Sequence, residues 1–404
     1  MSAKRVLVLG SGFAGLWAAL GAARRLDELT VPRDAVDVTV VSTRPFHDIR
    51  VRNYEADLSA CRIPLSQLLE PAGVGHITAE VTGIDASAAT VRTADGATLG
   101  YDRLVLAAGS AVVKPDLPGL AEFGYDVDTY DGAMKLHTHI VGLARRGPDP
   151  AAATAVVVGA GLTGIEVATE LPSMLSAALG PAATPRVVLV DRNPRVGSDI
   201  GESARPVIEK ALAHNGIETV TGVGVSAVDE AGVTLSSGEV VPAATVVWCA
   251  GMRANPLTAQ LGVPCDALGR LPVDDHLRVR GVAGIYAAGD VAAAKMDDEH
   301  VSVMSCQHSR PMGRYAGHNV IGDLLGAPQL ALRIPWYVTV LDLGPAGAVY
   351  TEGWDRQVVS TGAEAKATKM TINRERIYPP LTGDRAALLA AAAPQVQSAP
   401  AYGP

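Results

Sequence analysis

The chain has 404 residues, with 34 Lys+Arg against 42 Asp+Glu, for a formal net charge of −8. Hydrophobic residues make up 48%, enough for sizeable cores and too many for disorder throughout, and the length suits two or three domains. With a pI near 5.6 there is no basic face to replace phosphate counterions, so no nucleic-acid partner is expected.

The first strand begins almost at once in MSAKRVLVLGSG, with no charged segment leading into an apolar stretch and a cleavage site. Mean hydropathy is +0.20, yet the apolar runs fall far short of the roughly 20 residues that span a bilayer, so no integral membrane span is expected. Cys61, Cys249, Cys265 and Cys306 are scattered without a C-x-x-C pair, which suits neither a disulfide framework nor a metal site. His137 and His139 have no third ligand at suitable spacing, and no metal is expected. A reduced, cytoplasmic enzyme is the plain reading.

In chain order, Lys4 to Leu9 is an apolar run followed by Gly10-Ser-Gly12-Phe13-Ala14-Gly15 and a helical pattern through Leu16, Ala19, Leu20 and Ala23. DVTVVS then ends at Ser42, ahead of Thr43 and Arg44, and Pro45-Phe46-His47 is read as a loop that lines a pocket or packs locally. A hairpin-rich region returns to YDRLVLAAGS, which closes on Ala108-Gly109. Thr154 to Val158 repeats the opening, with Gly159-Ala-Gly161-Leu162-Thr163-Gly164 leading into IEVATEL. RVVLVD ends at Asp191, before Arg192 and Arg195, and TVVWCAGM closes on Gly251. Next come GIYAAGD, with Gly289-Asp290, and CQHSRPMG, with Cys306, Gln307 and His308. Trp336, Tyr337, Tyr350 and Trp354 cluster beyond residue 330 and are read as core or a subunit contact, which leaves a homodimer open.

Glycine spacing alone is weak evidence: with 42 glycines, roughly 0.4 chance matches to such a triplet are expected. Gly222-Val-Gly224-Val-Ser-Ala227 is one such decoy, since the alternating VSAVDEAGVTL after it reads as strand. Buried strand, glycine turn and helix mark the two genuine fingerprints. Each offers free N–H groups and a helix dipole to a pyrophosphate. Gly10 and Gly159 permit the turn, Gly12 and Gly161 admit the phosphates, and Gly15 and Gly164 let helix and strand approach. Two such units imply two dinucleotides, and a flavin with a nicotinamide is the economical pair. Asp191 suits a ribose 2′-OH and favours NADH, while Arg192 and Arg195 leave NADPH open. Ser42 stands where the first unit usually has a carboxylate, and could bond the ribose, with Arg44 on phosphate. Asp290 suits a ribityl hydroxyl.

The expected fold is α/β, with two Rossmann-like, three-layer dinucleotide-binding domains, the second inserted in the first. Residues 1–112 and 253–328 form the FAD-binding domain, 113–252 the NAD(P)H-binding domain, and 329–404 a smaller C-terminal section with a frayed Ala/Pro-rich tail.

These motifs resemble the FAD-dependent pyridine nucleotide oxidoreductases with two dinucleotide-binding domains, and most nearly their type II NADH dehydrogenase (NADH:quinone oxidoreductase) branch. GSGFAG, YDRLVLAAGS, GAGLTGIEVATEL, TVVWCAGMRANP and GIYAAGDVA occur in the family's order. DLGPAGAVYTEGWDRQV and KMTINRERIYPP extend the likeness to about residue 380. The resemblance implies FAD in the first domain, NAD(P)H in the second, and Glu166 near the nicotinamide–flavin junction. It places Cys306, Gln307 and His308 beside the second substrate. Where quinone reductases of the family carry A-Q-x-A-x-Q-Q-G, this chain keeps Gln307 but has Pro311 and Met312. The amphipathic C-terminal helices of that branch are replaced by RAALLAAAA, and no C-x-x-C supports a dithiol relay.

The expected function is hydride transfer from NAD(P)H to flavin, then electron transfer to a quinone-like or other small acceptor. A specialised-metabolism flavoenzyme acting on one small molecule is a second reading, and a non-turnover FAD/NAD redox sensor a third.

Overall fold

A computed structural model describes residues 3–146 and 149–395. Its first sheet is built from β1 (Lys4–Leu9), β2 (Val36–Ser42), β3 (Gly75–Thr78) and β4 (Arg103–Leu106), all parallel. Helix α1 (Phe13–Glu28) crosses from β1 to β2 and buries its first eleven residues. The unbroken apolar runs of these strands follow from burial on both faces. Each crossover carries the chain back over the sheet, so the strand ends that hold the glycine turns all open on one edge.

The second unit repeats this plan with β5 (Thr154–Val158), α2 (Leu162–Leu179), β6 (Arg186–Asp191), β7 (Ile217–Thr221) and β8 (Thr245–Trp248). Its order is β8-β5-β6-β7, with Gly124–Tyr125 added beside β8. Two antiparallel three-stranded ribbons, over 81–100 and 225–242, supply the expected hairpins. The decoy glycines Gly222 and Gly224 lead into the strand Val225–Asp229 and not a helix. Two short strands, Ser110–Val112 and Met252–Ala254, carry the chain between the units and pair antiparallel.

β9 (Ile285–Ala287) returns to the first sheet beside β4, giving the order β9-β4-β1-β2-β3. Helix α3 (Cys306–Leu325) then lies against α1, capped by Ser305, whose Oγ accepts from the His308 N–H. The contact is close: a Cβ at Gly313 would stand 2.3 Å from the Ala14 carbonyl oxygen. Beyond it, β10 (Val338–Asp342), β11 (Ala348–Glu352) and β12 (Gln357–Thr361) form an antiparallel sheet. Helix α4 (Gly362–Thr371) follows and runs into a wider π-helical turn, Ile372–Arg376.

The alanine-rich end departs from the expected fraying at its start. Helix α5 (Arg385–Ala391) is capped by Asp384 and buries Leu388 and Leu389 in the first core. Arg385 also donates to the Ala72 carbonyl and pairs with Asp27, which ties α5 to the first unit. The rest of the expected tail, 396–404, lies outside the described residues.

Candidate active site

The two glycine turns open toward one cleft. Gly10 adopts φ +109°, and a Cβ there would stand 2.3 Å from the Ala107 carbonyl oxygen, so only glycine fits. At Gly12 and Gly161 a Cβ would meet nothing within 4 Å, leaving open space over each turn. Neither α1 nor α2 carries an acid in its first turn or a side-chain cap on its leading N–H groups. Free donors, a positive dipole end and no repelling carboxylate fit a pyrophosphate at both turns.

A cavity of about 350 Å³ joins the units. Gly12, Phe13 and Ala14 of the first turn line it together with Gly109 and Asp290, and Leu162, Thr163 and Glu166 enter from the second. Cys306 and Gln307 close the wall with Tyr54, Arg50 and Lys369. Asp290 accepts from Ser110 Oγ at 2.6 Å and from Ser309 Oγ at 3.3 Å, and lies 3.8 Å from Arg50. Arg50 also bonds Ser110 and pairs with Asp128, so it touches both units.

Glu166 sits on the second turn of α2, only 7% exposed. Its Oε1 accepts from Lys369 Nζ at 2.7 Å and from the Asp342 N–H at 3.1 Å. Lys369 is equally buried and also donates to the Val340 carbonyl at 3.1 Å. Burial pushes the Glu166 carboxyl above its usual range, against the pull of Lys369. Burial also opposes charge on Lys369, but Glu166 and Asp342 outweigh it and hold the ammonium. Tyr54 OH donates to Asp342 at 3.1 Å; burial and the Glu166 and Asp342 carboxylates raise its pKa strongly. A buried acid and a buried ammonium thus meet at the cavity wall.

Other expected residues are placed differently. His308 is fully buried but does not line the cavity; it lies behind Tyr337, with ring centroids 5.6 Å apart. Its Nδ1 accepts from the Val303 N–H at 2.8 Å, and burial lowers its pKa to about 4. His308, expected beside the second substrate, packs one layer behind the cavity wall as an imidazole biased toward neutrality. Cys306 does line the wall, but burial raises its thiol pKa, which disfavours the nucleophilic thiolate. The aromatic cluster is a stack: Tyr337 faces Trp354 at 4.8 Å, and Trp354 faces His300 at 4.3 Å.

At the far end of the first unit, Ser42 Oγ donates to the Arg44 carbonyl at 2.7 Å and lies 2.9 Å from His76 Nε2. With its proton committed, the hydroxyl can only accept from a ribose. Arg44, expected on phosphate, pairs with Asp131, both side chains being exposed. Asp191 ends β6 and braces the second turn, accepting from the Ala160 N–H at 2.6 Å and the Asn193 N–H at 2.7 Å. Arg192 and Arg195 beside it are exposed. Thr43, Ala108, Gly159, Gly164 and Gly251 stand at the strand ends and turns where their motifs put them, outside the cavity wall.

Lys369, Tyr54 and Arg50 were not singled out from sequence. Nothing local distinguishes Lys369 from Lys366 in GAEAKATKMT; only the fold, across 203 residues, brings Lys369 to Glu166. Among the described residues there is no group of His, Cys, Asp and Glu that could hold a metal, and no helix long and apolar enough to cross a membrane. All four cysteines are free.

Two linked Rossmann-like units meeting at one cavity define the two-dinucleotide class of oxidoreductase folds. A family model described as pyridine nucleotide-disulphide oxidoreductase matches residues 4–313, and the chain belongs to that family of oxidoreductases. An NADH dehydrogenase-like protein of Mycobacterium tuberculosis is 72% identical over 398 residues, covering 98% of this chain and 100% of the relative. A type II NADH:quinone oxidoreductase of the same organism is 31% identical over 322 residues, 71% of this chain and 66% of the relative. Among solved structures, NDH2 from Plasmodium falciparum superposes with a TM-score of 0.79 at 14% identity, covering 96% of this chain and 97% of that one.

Proposed function

We propose that this chain binds FAD at the first glycine turn and NADH at the second, and passes electrons from NADH to a small, quinone-like acceptor. The observation that carries the reading is the single cavity shared by both turns, Asp290 and the buried Glu166–Lys369 pair. The relatives named as NADH dehydrogenase-like and NADH:quinone oxidoreductase support it.

The free N–H groups of Phe13 and Ala14 serve the FAD pyrophosphate, and Asp290 the ribityl chain. Ser42, held by His76, accepts from the adenosine ribose. Leu162 and Thr163 face the nicotinamide half of NADH, and Asp191 reads the 2′-OH, favouring NADH over NADPH. When bound, the flavin supplies hydride acceptance and electron release, chemistry no side chain here provides. Reducing a quinone by NADH consumes one proton from solution per turnover, since hydride brings only one of the two. Lys369 and Glu166 hold that proton at the wall, with Gln307 Nε2, buried without a partner, free to donate to an acceptor oxygen. In this reading residues 1–112 with 253–328 form the FAD-binding domain and 113–252 the NADH-binding domain.

Anaerobic titration with NADH and NADPH, followed by a panel of acceptors, tests the proposal. Bleaching of the flavin by NADH on a millisecond-to-second scale and recolouring by quinones are expected. A colourless protein that takes up no FAD refutes it.

A further inference from the structure

The chain passes between the two units at the paired strands Ser110–Val112 and Met252–Ala254, a narrow tether. Units joined in this way are expected to move against each other unless further contacts hold them. Hydride transfer tolerates little of that motion, because its reacting atoms must lie about 3–3.5 Å apart. A cluster of charged and aromatic side chains bridges the units, and the proposed function leaves it unused.

At the centre of the cluster is Arg62. It starts a short strand, Arg62–Pro64, paired antiparallel with Phe46–Asp48, and its neighbour Ile63 is buried in the first core. The guanidinium lies between two rings, 4.8 Å from the centroid of Phe46 and 4.0 Å from that of Tyr130. Its edges are engaged as well. Nε and Nη2 each donate to the Asp48 carboxylate at 2.8 Å, and Nη1 donates to Asp131 at 3.0 Å. Tyr130 and Asp131 belong to the second unit. They open the helix Tyr130–Gly142, which buries Ala133, Leu136 and Ile140 in the second core and packs against α2. The bridge continues just before them, where Asp128 pairs with Arg50 and accepts from the Val112 N–H at 3.0 Å.

On its other side the stack rests on the first glycine turn. Ser11 Oγ donates to the Phe46 carbonyl at 2.9 Å, and His47 Nδ1 donates to the Ser11 carbonyl at 2.8 Å. The Phe13 ring meets His47 edge-on. A run of contacts therefore leads from the first turn through Phe46, Arg62 and Tyr130 to a helix lying on α2, which leaves the second turn. A planar guanidinium held between two rings and forked onto a carboxylate has one position. Resting on the hydride transfer proposed above, we infer that Arg62 is a positioning residue for that step. With Phe46 and Tyr130 it fixes the spacing of the two glycine turns, and so the approach of nicotinamide to flavin. None of the three lines the cavity, so they act on the arrangement of the two sites and not on the affinity of either.

The test uses FAD-loaded protein, the single variants Arg62→Met and Tyr130→Leu, and the double variant. Asp48 and Asp131 are 26% and 41% exposed, so water solvates them once the guanidinium is gone and folding is expected to survive. Each single variant is expected to bleach about tenfold or more slowly at saturating NADH, with NADH and FAD affinities within about twofold of wild type. The long-wavelength charge-transfer absorbance of NAD+ stacked on reduced flavin is expected to weaken in both. Because the stack acts as one piece, the double variant should be no slower than the worse single. An unchanged bleaching rate, or an undiminished charge-transfer absorbance, overturns the inference. So does a loss confined to FAD or NADH affinity, and so do losses that multiply in the double variant. Should Arg62→Met not fold, Arg62→Lys gives the same readouts, since an ammonium keeps the charge but neither fills the sandwich nor forks onto Asp48. If NADH bleaches wild type and variants alike, only this inference falls; a wild type that NADH does not bleach refutes the proposed function, and this inference with it.

Discussion

Replacing Lys369 with methionine tests the proposed proton-holding pair directly. The side chains of Glu166 and Lys369 are 9% and 10% exposed, so solvent screens the pair little. Removing one partner of such a pair costs about 3–5 kcal/mol, because it leaves the other charge buried and uncompensated. Glu166 can escape part of that cost by taking up a proton, since burial already raises its pKa and the lysine that opposed the rise is gone. An acid whose folded pKa lies above its ordinary 4.5 contributes stability that is fully present below that value and lost as pH rises through the folded one. The variant is therefore expected to approach wild-type stability in acid and to weaken progressively as pH rises above that range. In stopped flow, bleaching by NADH stays near wild type, while recolouring by a quinone slows by about a hundredfold or more, the usual contribution of a positioned proton donor. Denaturant melts across pH and two-step mixing give the two readouts. Equal slowing of both half-reactions, or a stability loss independent of pH, refutes the reasoning.

Gly164→Ala puts a Cβ 1.7 Å from the Gly159 carbonyl oxygen. Displacing the second turn in this way is expected to cost about a hundredfold in NADH affinity while FAD stays bound, and a fluorescence titration giving wild-type NADH binding contradicts it. Asp191→Asn keeps an acceptor for the Ala160 N–H but loses the charge. The ratio of kcat/KM for NADH over NADPH should fall about tenfold or more, and an unchanged ratio removes Asp191 from cofactor choice. His308 is buried with its pKa lowered from 6.5 to about 4, so its contribution to stability is present above 6.5 and lost as pH falls through the folded value. His308→Asn should flatten that stretch of the acid-denaturation curve and leave the neutral-range pH profile of acceptor reduction untouched; a lost limb near neutrality returns His308 to the chemistry.

What the sequence shows and hides follows from the range of the forces involved. The two fingerprints are legible because strand, turn and helix are contiguous, and their glycines avoid clashes within the unit: a Cβ on Gly15 would stand 1.9 Å from the Gly10 carbonyl oxygen. The decoy at Gly222 is legible for the same reason, by the alternation that follows it. Glu166 could be expected near the junction but not paired, since Lys369 arrives on helix α4, 203 residues further along the chain. The position of His308 was hidden because its neighbours Cys306 and Gln307 line the cavity while the helix turns it toward Tyr337 and Trp354. Ser42 could be read as a substitute for the usual acid, but its dependence on His76 appears only once β2 and β3 are side by side.

The ribbon formed by Ser110–Val112 and Met252–Ala254 has a consequence for how such a chain could arise. Val112 and Met252 face each other in the register, so the chain enters and leaves the inserted half at neighbouring points. A host loop of ordinary width could accept or release that half by recombination without moving its own ends apart. Two genes for nucleotide-binding folds could thus be joined by placing one inside the other, with the ribbon as a ready-made seam.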